Sequence, residues 1–103
     1  MSEEKRQARR VPFLCEVECA GSGGLSIAKG RLNDVSTTGA FLESLAEIPV
    51  GTDLTLRFQA GSHTFAISAR VAHSMPQFGM GVRFSGLTPE ESALIEQLVQ
   101  ENA

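Results

Sequence analysis

Three stretches in the second half of the chain alternate apolar and polar residues with a period of two. Leu54, Leu56 and Phe58 oppose Asp53, Thr55 and Arg57. Phe65, Ile67, Ala69 and Val71 oppose Thr64, Ser68 and Arg70, and Phe78, Met80, Val82 and Phe84 oppose Gly79, Gly81 and Arg83. Successive side chains on a strand point to opposite faces, so each stretch reads as a strand with one buried and one wet face. That pattern points to an antiparallel sheet, closed into a small barrel or folded as a sandwich. Five of the six phenylalanines fall on the apolar parity, which assigns them to the core rather than to a base-stacking platform.

The first half continues the pattern in shorter pieces. Pro12 to Ala20 reads as a strand with Phe13, Cys15, Val17 and Cys19 on one face and Glu16 and Glu18 on the other. The loop Gly21-Ser22-Gly23-Gly24 lacks the Gly-Lys-Ser/Thr that completes a nucleotide P-loop, so it reads as a hairpin connection. Leu25 to Leu32 is a second strand whose inward parity shifts near Ala28, as a bulge would make it. Asn33 to Gly39 reads as a polar turn, Ala40 to Glu43 as a short third strand, and Ile48 to Thr52 as another turn. One helix ends the chain. Thr88-Pro89-Glu90-Glu91 is a capping box with proline at the first helical position, and Leu94, Ile95, Leu98 and Val99 form a stripe expected to cover one barrel opening.

At 103 residues the chain is the size of one domain. No apolar run approaches the ~20 residues of a membrane helix, and no apolar h-region follows the N-terminal charges. The expected setting is cytoplasmic, without membrane insertion. Net charge is −3, which argues against DNA or RNA as a partner, but the charge is uneven. Lys5, Arg6, Arg9 and Arg10 form a cationic arm, whereas from Val11 onward five basic residues face ten acidic ones. Guanidinium forks match phosphates and base edges, so the arm reads as an anion-binding element or a solvated tail.

Catalysis has little to work with. Cys15 and Cys19, four apart on a strand, lie roughly 13 Å from each other, too far for a disulfide, and read as reduced core residues. His63 follows a Gly-Ser turn, and His73 ends a strand on the inward parity. No nucleophile elbow, zinc signature or other ligand cluster accompanies them, so neither an enzyme nor a metal or cofactor site is expected.

Two motifs stand apart: Arg6-x-x-x-Arg10 leading into the first strand, and Asp34-x-Ser36-x-x-Gly39 after the second. Followed by Gly79-Met80-Gly81-Val82-Arg83-Phe84, they make the sequence resemble the PilZ domain family, bacterial receptors for cyclic di-GMP. The resemblance runs from Lys5-Arg6 to the C-terminal helix. It implies an all-β fold, a six-stranded antiparallel barrel with a C-terminal α-helix, in agreement with the six strands counted above. It divides a single domain, 1–103, into an N-terminal arm (1–11), a barrel (12–86) and a helical end (87–103).

The resemblance implies cyclic di-GMP as the ligand, bound by Arg6, Arg10, Asp34, Ser36 and Gly39, with Lys5, Arg9, Asn33 and Thr38 as secondary candidates. Each arginine can fork onto phosphate or onto guanine O6 and N7. An ionised Asp34 accepts from guanine N–H groups or orients an arginine, and Ser36 can donate to phosphate or base. Gly39 permits a positive φ or a close backbone approach where a Cβ would collide with ligand. Lys5, just before the arginine motif, leans toward an intercalated ligand dimer. The expected action is that of a stand-alone adaptor whose arm orders over the ligand and exposes a surface to a downstream protein. The alternatives are a PilZ-like interaction module that binds no nucleotide and a small nucleic-acid-binding barrel.

Overall fold

The structure, a computed structural model, describes residues 9–21, 26–44 and 46–103. Six strands and one helix follow in order: β1 (Val11–Ala20), β2 (Ser26–Val35), β3 (Gly39–Glu43), β4 (Asp53–Ala60), β5 (His63–Met75), β6 (Gly79–Phe84) and α1 (Pro89–Glu101). The strands pair antiparallel throughout and close into a barrel in the order β1-β2-β3-β6-β5-β4.

The inward parity of every strand converges on one core. Leu32, Leu42, Leu56 and Ile67 are fully buried, with Met80 beside them and Phe58 stacked on Phe65 at 4.8 Å between ring centroids. Each such side chain contributes ~1.5–3 kcal/mol of burial, and a one-residue slip of any strand would turn its whole set outward. Charge supports the same register on the outer wall. Arg31 faces Glu16 on one side and Glu43 on the other, and Glu18 faces Lys29 and Arg57.

The helix begins where the capping box places it. Thr88 Oγ1 accepts from the Glu91 amide at 3.0 Å, and the Glu91 carboxylate accepts from the Thr88 amide at 3.0 Å. Its stripe of Ile95, Leu98 and Val99 joins the barrel core, and Leu94 and Leu98 lie beside Ala60 and Phe65 near the β4–β5 turn. Among the described residues, no helix is long and apolar enough to cross a membrane, and no cluster of three or more metal-ligating side chains occurs.

Irregularities in the ladder account for the differences from the sequence reading. The bulge near Ala28 is present, because Cys19 faces Ala28 while Ala20 faces Ser26. A second irregularity at Asn33 carries β2 through the stretch read as a turn. It lets Leu32 and Val35 both point inward while Asn33 and Asp34 remain half-exposed, so the turn proper is Ser36 to Thr38. Val11, assigned to the arm, is already in β1 and buried against Val35.

Two inward assignments are overturned. His73 lies on the outer wall, because the β5–β6 register shifts between Val71 and His73 and reverses the parity. Its ring covers Gly81, where a Cβ would run into the imidazole. Phe78 is 69% exposed because it precedes β6 in a tight turn, closed by its amide donating to the Met75 carbonyl at 2.9 Å. Gln77 takes a positive φ of 71° in that turn, which throws Phe78 outside the barrel end.

Candidate ligand-binding site

The pairing of β1 with β2 brings Arg10, the end of the first motif, to the start of the second. Val11 faces Val35 and Pro12 faces Asp34, so the residue just before β1 arrives beside the end of β2. There Arg10 Nη1 donates to Asp34 Oδ1 at 2.6 Å. The Arg10 side chain is 50% exposed and that of Asp34 27%, so the pair sits on the outer wall within reach of solvent. Only one of the five guanidinium N–H groups is used in this contact, and among the described residues no donor reaches the second Asp34 oxygen. The pair can therefore offer donors and an acceptor to one ligand.

Ser36 is placed differently from a ligand-facing serine. It is 2% exposed, and its hydroxyl accepts from the amides of Thr38 at 3.2 Å and Gly39 at 3.1 Å. The same oxygen lies 3.2 Å from the Gly39 carbonyl, to which it donates, while the Ser36 amide donates to that carbonyl at 2.8 Å. Ser36 thus builds the turn that separates β2 from β3. Thr38 is exposed on that turn, its hydroxyl 3.3 Å from that of Ser36.

Gly39 shows the close approach the sequence suggested, but against protein. Its φ is not positive, and a Cβ there would run into the backbone carbonyl of Val82 on β6. The glycine is needed for β3 to lie tightly on β6 at the root of the turn. Arg9 is exposed, and Asn33 is half-exposed on the wall next to Asp34. Arg6 and Lys5 lie outside the described residues.

The sequence reading missed a groove of about 790 Å³ on the same wall, lined among others by Arg31, Asn33, Phe41, Glu43, Met75 and Phe78. Phe41 faces Asp34 across β2 and β3, so one lining residue of the groove is the cross-strand neighbour of the ion pair's carboxylate. Its parity carried the signal: Phe41 sits between the buried Ala40 and Leu42 and must point outward.

Titration at the cysteines runs against nucleophilic chemistry. Burial, aided by the neighbouring Glu16, pushes the Cys15 thiol up to about 11, and burial beside Glu18 does the same for Cys19. Both are free and protonated at neutral pH.

A family model described as the PilZ domain matches residues 4–101. Among solved structures, the fold is similar to the PilZ domain of CeSA from a cellulose-synthesizing bacterium, with a TM-score of 0.74 and 21% identity, covering 91% of this chain and 97% of that one. It is also similar to the PilZ domain of YcgR from Escherichia coli, a structure with c-di-GMP (cyclic di-GMP). That match has a TM-score of 0.75 and 16% identity, covering 95% of this chain and 91% of that one. No curated protein matches the sequence.

Proposed function

The chain belongs to the PilZ domain family, and on that premise we propose that it is a receptor for cyclic di-GMP that acts as an adaptor rather than an enzyme. The observation that carries this reading is the Arg10–Asp34 contact, which joins the two motifs on the outer wall. A PilZ domain structure with c-di-GMP shares the fold, which supports the same ligand class.

In this reading the Arg10 fork takes a phosphate or the O6 and N7 edge of a guanine, and Asp34 holds the fork in the plane that contact requires. The second Asp34 oxygen accepts from guanine N–H groups. Arg6 and, secondarily, Lys5 and Arg9 supply further cations from the arm, and Lys5 favours a ligand dimer. Asn33 and Thr38 lie at the rim of the contact. Ser36 and Gly39 serve the ligand indirectly, by fixing the turn that positions Asp34. Closing of the arm over the bound ligand changes the surface offered to a downstream protein, and that change is the signal.

One observation favours the alternative of an interaction module that binds no nucleotide: Ser36 and Gly39 are already engaged within the fold. Amide hydrogen exchange with and without saturating cyclic di-GMP separates the two. The receptor reading expects new protection in residues 1–12 and 33–39, and unchanged exchange across both segments contradicts it.

A further inference from the structure

At the β5–β6 turn, beside the end of β3, the outer wall exposes more apolar surface than a barrel wall facing water needs. Phe78 is 69% exposed and Met75 46% exposed, and both border the groove whose floor includes Phe41. Isolated exposed apolar residues are ordinary, but here two flank one concavity of ligand-binding size together with a third apolar surface, Phe41. The polar lining carries both signs of charge, from Glu16, Lys29, Arg31 and Glu43. Arg31 on β2 and Glu43 on β3 are direct cross-strand partners, placing a guanidinium fork and a carboxylate side by side at its edge. Asn33 adds an amide.

We infer that this groove seats a guanine base, through Arg31 and Glu43 at the base edge and Phe41, Met75 and Phe78 against its face. Guanine presents O6 and N7 as acceptors and N1–H and the 2-amino group as donors on neighbouring edges. Arg31 suits the first pair and Glu43, acceptor-only when ionised, suits the second. Adenine reverses the pattern at its six-position and lacks the 2-amino donor, so the pair discriminates against it. The aromatic and thioether surfaces supply the face contact that a base needs.

None of these five residues belongs to either sequence motif. Arg31 precedes Asp34 by three positions, about 10 Å along the strand. One base of a cyclic dinucleotide can thus lie in the groove while the Arg10–Asp34 pair holds the rest. The inference rests on the receptor reading and assigns the specificity of its second base.

Calorimetric titration of the full chain and of two variants, F78S and E43A, tests it, using cyclic di-GMP and cyclic di-IMP, whose hypoxanthine lacks the 2-amino group. Phe78 is exposed in a turn and Glu43 stands on the outer wall, so both variants should keep the wild-type melting temperature. F78S should weaken cyclic di-GMP binding by about tenfold, the scale of one lost base–aromatic contact. E43A should weaken it similarly and lose most of the preference for cyclic di-GMP over cyclic di-IMP that this groove contributes. If both variants bind within about twofold of the unaltered chain and keep its preference, the groove is not a base seat, and the receptor reading stands. If the unaltered chain binds neither dinucleotide, the receptor reading itself is overturned and this inference with it.

Discussion

Arg10 and Asp34, separated by 24 positions, meet at 2.6 Å through a single guanidinium nitrogen and a single carboxylate oxygen. Both partners are partly exposed, and exposed ion pairs contribute little to folding, typically ~0–1 kcal/mol. The pair therefore has little structural reason to exist. Its remaining donors and acceptor face outward at the junction of the arm and the barrel.

Removing either partner should separate binding from stability. Arg10→Ala and Asp34→Ala are each expected to lower the unfolding free energy by no more than about 1 kcal/mol. Each should weaken cyclic di-GMP binding by tenfold or more, the worth of a lost bidentate or charge-assisted contact at ~1–3 kcal/mol. Urea denaturation beside a binding titration checks both. Variants that unfold, or that bind as the unaltered chain does, contradict the assignment.

The other half of the motif should behave in the opposite way. Ser36→Ala leaves the buried amide of Gly39 and the part-buried amide of Thr38 without their shared acceptor and should cost about 1–3 kcal/mol. Gly39→Ala drives a Cβ into the Val82 backbone, and separating β3 from β6 should cost about as much, roughly 1–3 kcal/mol. Gly81→Ala makes a useful contrast, since the atoms its Cβ approaches most closely belong to the His73 ring, a surface side chain that can swing aside. The denaturation midpoint should fall for Ser36→Ala and Gly39→Ala and change little for Gly81→Ala.

How much of this was legible in the sequence follows from how local each cause is. The six strands, the capped helix and the core positions come from short-range periodicity and side-chain chemistry, and they were readable. His73 and Phe78 were misplaced because a register shift and a positive-φ turn reverse parity, and such irregularities depend on the partner strand. Asn33 and Asp34 look like turn residues by polarity, yet Val35 must reach the core and draws them into β2. The two motifs stand out in the sequence, but the different placements of their residues do not. That Ser36 and Gly39 serve the turn while Asp34 faces outward depends on where β6 lies.

Alkaline pH should weaken the fold through its two thiols. Burial raises both cysteines from 9.0 to about 11, so the folded state holds these protons more tightly than the unfolded one. The stability tied to the neutral thiols is complete below pH 9 and is lost as pH rises from 9 through about 11. Melting temperature should fall across that window, and less so in a Cys15→Ser, Cys19→Ala double variant. At pH 8 a thiol reagent should label the native protein far more slowly than the urea-unfolded chain. Rapid labelling of both thiols in the native state contradicts their burial.

The most direct measurement of the central claim is isothermal titration of the folded chain with cyclic di-GMP, with GTP and a short oligonucleotide as controls. The account predicts saturable heat with cyclic di-GMP alone, at one ligand per chain for a monomer or two for the intercalated dimer that Lys5 favours. A flat trace at high protein concentration, from a sample whose β-sheet spectrum and cooperative melting show it folded, would contradict it.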